Sequence, residues 1–241
     1  MRGCGSMRTV YKREMGAYFR SPVAYTIIAV FMLMVGLFFW VRNLLYASTD
    51  FSGALSMTST YLTFMMPILT MKLLADERRS GTEVLLRTSP VPMWKIVVGK
   101  YLAALTLYAI MVSLTAIYPI IMTFLSENGV PAGKTFGGYV GFFLLGATYL
   151  AISLFASSFT ESQVVAAVSG SVALLVLYYL QSIGATIGGT FGSILQWLSP
   201  LKRYSDFSLG GFNIASLIFY ITFSGMMVFL SVLNVERRRW Q

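Results

Sequence analysis

Six long runs without a charged residue divide this chain, and they constrain its fold more than any other feature. The runs cover residues 21–41, 51–71, 101–126, 135–160, 162–201 and 207–235. A helix needs about 20 mostly apolar residues to cross the hydrocarbon core of a bilayer, and every run reaches that length. Only 11% of the residues are charged, whereas soluble domains contain about 25%. The sequence therefore predicts an all-α integral membrane protein.

The fifth run is long enough for two spans, or for one span and a segment that dips into the membrane and returns. Two spans would place Arg237, Arg238 and Arg239 outside, whereas basic residues concentrate in cytoplasmic loops. One span is therefore predicted. The chain becomes a single membrane domain, residues 1–241, with both termini and a charged loop at 76–95 in the cytoplasm. The six spans are predicted at about 22–45, 54–73, 97–125, 136–158, 163–182 and 212–234.

Residues 183–211, before the last predicted span, are rich in glycine and favour an exoplasmic re-entrant helical hairpin. Non-helical backbone at membrane depth survives only where protein or water surrounds it. Gly184, Gly188 and Gly192 would lie on one helix face and permit close helix approach. Packing within the chain and contact with a second copy both explain that series.

Residues 7–20 alternate apolar side chains with Arg8, Lys12, Arg13 and Glu14. This pattern is typical of an amphipathic helix in the plane of the lipid headgroups, and a solvated basic tail is the alternative. The net charge is +9, but 14 of the 18 Lys and Arg residues lie in three clusters beside apolar runs. Membrane topology and anionic lipid account for that charge, so no nucleic-acid partner is expected.

The 76–95 loop contains a short helix of its own. Ser80 and Glu83 have the spacing of a capping box, which predicts a helix from Gly81 or Thr82 through Leu86. Pro90 ends it. Ordinary helix connections need about 2 to 8 residues, so a longer charged loop with a capped helix indicates a docking element.

The run E-R-R-S-G-T-E-x-L-L-x-T-S-P from Glu77, the following G-K-Y-L-A and the later L-S-P-L-K-R-Y-S-D-F-S-L-G-G-F-N resemble the ABC-2 family of ABC transporter permeases. Within the family, the chain is most similar to the gliding-motility type, and next to the nitrous-oxide-reductase maturation type. The resemblance implies a type V exporter-like fold: six spans, an N-terminal connecting helix and a cytoplasmic coupling helix between spans 2 and 3. The implied ATPase-coupling residues are Asp76, Glu77, Arg78, Arg79, Ser80, Gly81, Thr82, Glu83, Leu85 and Leu86.

The resemblance also implies the partners of the chain. Two copies of a separate ABC ATPase would bind ATP and Mg²⁺, so no cofactor is expected in this chain. A second permease, identical or homologous, would complete an exporter in a bacterial or archaeal cytoplasmic membrane. Lys12, Arg13 and Glu14 of the connecting helix would face the ATPase, and Glu161 would form a second cytoplasmic contact.

Other function classes find little support in the sequence. The chain has no His and only one Cys, Cys4, so a His/Cys metal site and a nucleophile–histidine pair are not expected. The alternative to a permease is an ATPase-independent channel or scaffold, for which the glycine-rich stretch 184–192 is the candidate filter.

Overall fold

The computed structural model describes residues 7–79, 92–125, 129–211 and 213–237, and of residues 76–79 it describes the backbone only. The described residues form helices joined by short turns, without a β-strand among them, as predicted. The helices are α1 (Met7–Arg20), α2 (Pro22–Phe39, continued by the π-helical turns Trp40–Leu45), α3 (Ser52–Arg79), α4 (Met93–Leu114), α5 (Ile117–Leu125), α6 (Ala132–Ser157), α7 (Gln163–Ile187), α8 (Gly189–Leu198), α9 (Pro200–Ser208) and α10 (Ile214–Arg237).

Five helical segments in this part of the chain are long and apolar enough to cross a membrane: α2, α4 with α5, α6, α7 and α10. The second predicted span, 54–73, falls on α3, which is not among the five. With 28 residues, α3 is about 42 Å long at 1.5 Å per residue, so its length suffices. α3 is not among the five because its composition is less apolar than theirs. That α3 is a sixth membrane crossing stays a prediction.

Several hydroxyl side chains of α3 are buried inside the helix bundle. Thr58, Thr63 and Thr70 are at most 1% exposed. Their hydroxyls donate to carbonyl oxygens three or four residues earlier in the same helix, at 2.9 Å, 2.6 Å and 3.1 Å respectively. A buried hydroxyl that bonds in this way leaves no unpaired donor. The sequence of α3 is partly polar, but these intrahelical hydrogen bonds allow the helix to lie in apolar surroundings.

Helix α6 forms the centre of the bundle, and glycine allows its neighbours to approach closely. A Cβ atom on Gly146 would lie 2.2 Å from the ring of Tyr108 in α4. A Cβ atom on Gly141 would lie 2.5 Å from Cβ of Phe207 in α9. Both aromatic side chains are fully buried or nearly so. These two glycines therefore determine how closely α4 and α9 pack against α6.

The third predicted span, 97–125, consists of two helices rather than one. α4 begins at Met93, four residues before the predicted boundary, and ends at Leu114. Pro119 lies in the first turn of α5 and has no N–H to donate to the carbonyl of Thr115. That carbonyl instead accepts from Tyr118 N at 3.0 Å. Proline thus explains the break between α4 and α5.

The predicted position of the 184–192 glycines on one helix face is wrong. α7 ends at Ile187, and the chain reverses at Gly188 and Gly189, with φ angles of +66° and +63°. α8 then folds back along α7, so a Cβ on Gly184 would lie 2.7 Å from the carbonyl oxygen of Gly192. Glycine adopts positive φ without steric cost, which explains the turn. The close approach is a contact within the chain, and the side of the membrane on which it lies stays a prediction.

Candidate coupling site

Helix α1 lies directly against the first turns of α4. Gly99 makes this approach possible, because a Cβ there would lie 3.3 Å from both Met7 O and Val10 Cβ. Tyr11 of α1 also donates to Thr106 Oγ1 of α4 at 3.1 Å. The amphipathic N-terminal helix is therefore packed on the bundle, with its basic side chains Lys12 and Arg13 exposed.

The side chain of Lys100 joins three helices in the interior. It lies in α4, is 1% exposed, and donates to the carbonyl oxygen of Leu73 in α3 at 2.6 Å. It also forms an ion pair with Glu14 of α1, with 3.2 Å between Nζ and Oε1. Burying an ammonium group is costly unless it is paired and hydrogen-bonded. Lys100 meets both conditions here through bonds that join α1 and α3 to α4.

A second hydrogen bond attaches α1 to α3. The hydroxyl of Tyr18 donates to the carbonyl oxygen of Leu69, one helical turn before Leu73, at 3.2 Å. Burial, with a smaller contribution from the Glu14 carboxylate, raises the pKa of Tyr18 above its ordinary value. The hydroxyl therefore stays protonated, as a donor must. Helix α1 thus contacts α3 just before the charged loop and α4 just after it.

The turn between α6 and α7 lies at the same end of the bundle. Asn234, near the end of α10, donates through Nδ2 to Ser158 O at 3.0 Å, just before this turn. Glu161 lies in the turn itself and is exposed. The end of α10 also borders the first turn of α4, since Glu236 and Trp94 line one groove. The start of α4, the end of α10 and the α6–α7 turn therefore form one end of the bundle.

A family comparison covers nearly the whole chain. The model of the family described as ABC-2 family transporter protein matches residues 8–235. The chain belongs to the ABC-2 family. It is therefore a membrane component of an ABC transporter, a permease subunit of a family whose members associate with ABC ATPases and partner permeases and are generally not themselves catalytic. No curated protein matches the chain.

The structure assigns roles to the G-K-Y-L-A segment that supported the ABC-2 resemblance. Gly99 admits α1, Lys100 binds Glu14 and the Leu73 carbonyl, and Tyr101 donates to Ala147 O of α6 at 3.1 Å. The sequence interpretation gave this segment no role. The sequence feature that could have indicated a role is a lysine directly after a glycine near the start of an apolar helix.

Apart from Glu161 in the α6–α7 turn, the predicted ABC-2 site residues fall into three groups. Asp76–Arg79 form the last turn of α3. The predicted coupling helix, Arg79 through Leu86, lies outside the described residues except for Arg79. Lys12 and Arg13 are exposed on α1, and the carboxylate of Glu14 accepts from Arg13 at 2.8 Å as well as from Lys100. Glu14 therefore faces its own chain. The roles proposed for these residues toward an ATPase stay predictions.

A disulfide tests the packing of α1 on α4. In a chain carrying Cys4→Ser, Val10→Cys and Gly99→Cys would place two Cβ atoms 3.3 Å apart, close to the 3.5–4.5 Å of native disulfides. We expect mild oxidation to link them, so that a protease cut engineered within 80–91 leaves the two fragments joined until a reductant is added. Thr9→Cys with Gly99→Cys is the control, because Thr9 is exposed. Equal linkage in both pairs would contradict the packing.

Proposed function

We propose that this chain is one six-span half of an ABC exporter in a bacterial or archaeal cytoplasmic membrane. A second permease, identical or homologous, would complete the pathway, and two ATPase subunits would bind on the cytoplasmic side. ATP and Mg²⁺ would be held by those subunits. In this arrangement α3 is the second of the six spans, and the hydroxyls of Thr58, Thr63 and Thr70 bond within the helix, which suits a membrane crossing.

The distribution of basic residues supports this orientation. The end of the bundle that contains α1 carries the basic residues Lys12, Lys72, Lys95, Lys100 and Arg237. The opposite end, where Ser52 Oγ donates to Ser208 O at 3.2 Å, has fewer basic residues, namely Arg42, Lys134, Lys202 and Arg203. Since basic residues concentrate on the cytoplasmic side, both termini and the 76–95 loop would lie in the cytoplasm.

The contact of Lys100 with Glu14 and Leu73 O is the observation that carries the proposed coupling. An ATPase beneath the membrane can move the spans only through elements that transmit displacement. α3 leads into the charged loop and α4 leads out of it, and Lys100 ties both to α1. A partner that pushes on α1 or on the loop would therefore move three helices together.

The residues proposed to meet the ATPase are Asp76 to Glu83, Leu85 and Leu86 of the loop, Lys12 and Arg13 of α1, and Glu161. Lys12, Arg13 and Glu161 are exposed at the α1 end of the bundle. Exposed charges of both signs suit a contact whose orientation depends on charge complementarity. Glu14 would act indirectly, by holding α1 in place.

Purification of the tagged full chain in mild detergent tests the proposed function. We expect a soluble ATP-hydrolysing chain to co-purify, and to be lost when residues 80–86 are deleted. Replacing 129–131 by a glycine–serine linker, in the α5–α6 connection at the other end, is the matched control and should retain the partner. Recovery of folded chain without any ATPase would favour an ATPase-independent channel or scaffold.

A further inference from the structure

A long apolar groove runs along the outside of the bundle between α4, α6 and α10. Its volume is about 790 Å³. We call it the α4–α10 groove, and the residues that matter for its occupant are Trp94, Tyr101, Leu105, Phe143, Gly225 and Glu236. It lies apart from the contacts of α1 with α3, so the proposed coupling role does not use it.

The polar side chains along the middle of the groove are engaged elsewhere. Tyr101 donates to Ala147 O at 3.1 Å, and Tyr220 donates to Pro200 O at 2.6 Å. Ser224 shares a hydrogen bond of 2.9 Å with Thr148. Between its two ends the groove therefore presents hydrocarbon, and a polar cargo would lose its hydration without gaining partners.

Gly225 keeps the middle of the groove open. It lies within α10, where glycine weakens a helix relative to alanine. Close packing does not explain it, because a Cβ atom built at this position would meet no atom within 4 Å. A larger residue would project into the groove, so the glycine preserves empty volume.

The groove is long enough to extend through one leaflet of a bilayer. Its lining extends on α4 from Trp94 to Leu105, about 17 Å, and on α10 from Tyr220 to Glu236, about 24 Å, at 1.5 Å per residue. One leaflet contributes about half of the ~30 Å hydrocarbon core. Of the described residues that line the groove, Glu236 is the charged one, and it lies at the Trp94 end beside Arg237. Lys95 lies 5.6 Å from the centre of the Trp94 ring at the same end. Trp beside basic residues is typical of the headgroup level.

The size of the lining side chains argues against a helix of a second copy. Helix pairs in membranes favour small residues that let the backbones approach. Most of the lining of this groove consists of large side chains, such as Trp94, Tyr101, Leu105, Phe143 and Phe229, and the small residues Ala147, Ser224 and Gly225 make up the lesser part. A flexible hydrocarbon chain can follow the irregular space between large side chains more closely than a helix backbone can.

From these observations we propose that the α4–α10 groove binds one acyl chain of a glycerophospholipid. The lipid would belong to the leaflet that borders Trp94 and Glu236, with its headgroup phosphate at the level of Lys95 and Arg237. The walls offer the chain an apolar track about one leaflet deep, and Gly225 leaves room for it. The site is independent of the proposed partner ATPase.

Photolabelling in vesicles tests this site. The full chain is reconstituted with phosphatidylcholine and phosphatidylglycerol, including a trace of phosphatidylcholine that carries a diazirine midway along one acyl chain. After irradiation and digestion, we expect labelling of α4 and α10 peptides several-fold above that of the exposed valine face of α7, which includes Val168 and Val172. Gly225→Trp should remove this excess, and Gly225→Ala should keep it.

Leu105→Trp, which fills the groove from the opposite wall, should have the same effect as Gly225→Trp, provided that circular dichroism shows both variants folded. Labelling of the groove equal to that of α7 and unchanged by either tryptophan would overturn the proposal, since the groove would then hold only ordinary surrounding lipid. Spontaneous disulfide-linked dimers through Phe229→Cys, with loss of groove labelling, would also overturn it in favour of a second copy.

Discussion

Replacing Gly146 with leucine is expected to prevent the chain from folding into a monodisperse protein. Even the Cβ atom of alanine would lie 2.2 Å from Cζ and 2.3 Å from the hydroxyl oxygen of Tyr108. That ring cannot move easily, because it is fully buried, stacks on Phe143 at 5.8 Å and donates to Phe142 O at 2.8 Å. Overpacking of this kind costs ~1–3 kcal/mol and sometimes more, so Gly146→Ala should already lower the unfolding temperature in detergent strongly.

Gly133→Ala is the matched control for this prediction. Gly133 lies in the same helix, but a Cβ atom there meets nothing within 4 Å, and alanine favours a helix. Its unfolding temperature should stay equal or rise. Tyr108→Leu, which removes the ring, should recover part of the stability lost by Gly146→Ala. Unchanged stability in Gly146→Ala would contradict the close approach of α4 and α6.

Replacing Lys100 with methionine is expected to release α1 from the bundle. Methionine keeps much of the side-chain length, but Glu14 loses its buried partner and Leu73 O loses a donor. Removing one member of a buried ion pair costs about 3–5 kcal/mol. Glu14 retains Arg13 and is 13% exposed, so we expect the low end of that range. A change of about 3 kcal/mol raises local opening roughly a hundredfold.

Hydrogen exchange of the α1 peptides measures this release directly. Lys72→Met is the control, because Lys72 is exposed on α3 one residue before Leu73, and it should leave the exchange of α1 unchanged. Combining Lys100→Met with Glu14→Leu should cost less than the sum of the single changes, since no unpaired carboxylate remains. Strict additivity would show that the two side chains do not act as a pair.

Much of the fold could be predicted because a bilayer imposes a simple rule on composition. Charge-free runs of sufficient length located α2, α4 with α5, α6, α7 and α10. The positions at which the helices begin and end could not be predicted from hydropathy, because they depend on local backbone conformation and hydrogen bonding. α7 continues past Gly184 to Ile187 and reverses only where Gly188 and Gly189 adopt positive φ. α3 is more polar in composition than the other long helices, and it can still be buried because Thr58, Thr63 and Thr70 bond to their own backbone.

The candidate site was less accessible to sequence reasoning. The ion pair of Glu14 with Lys100 joins residues 86 positions apart, and nothing local in either segment specifies the other. The motif that carried the family resemblance directed attention to 77–90, whereas the described contacts involve Glu14, Tyr18, Leu69, Leu73 and Lys100. The sequence predicts which end of the bundle meets a partner, and the structure shows how three helices are joined there.

Site-specific photocrosslinking tests most directly the central claim that an ATPase contacts the α1 end of the bundle. A photoreactive phenylalanine analogue would replace Lys12 on the exposed face of α1, Leu85 in the loop, or Lys134 at the start of α6. The account predicts covalent adducts with a soluble ATP-binding chain from positions 12 and 85 and none from position 134. Adducts from position 134 alone, or none from any position in cells that express the folded chain, would contradict it.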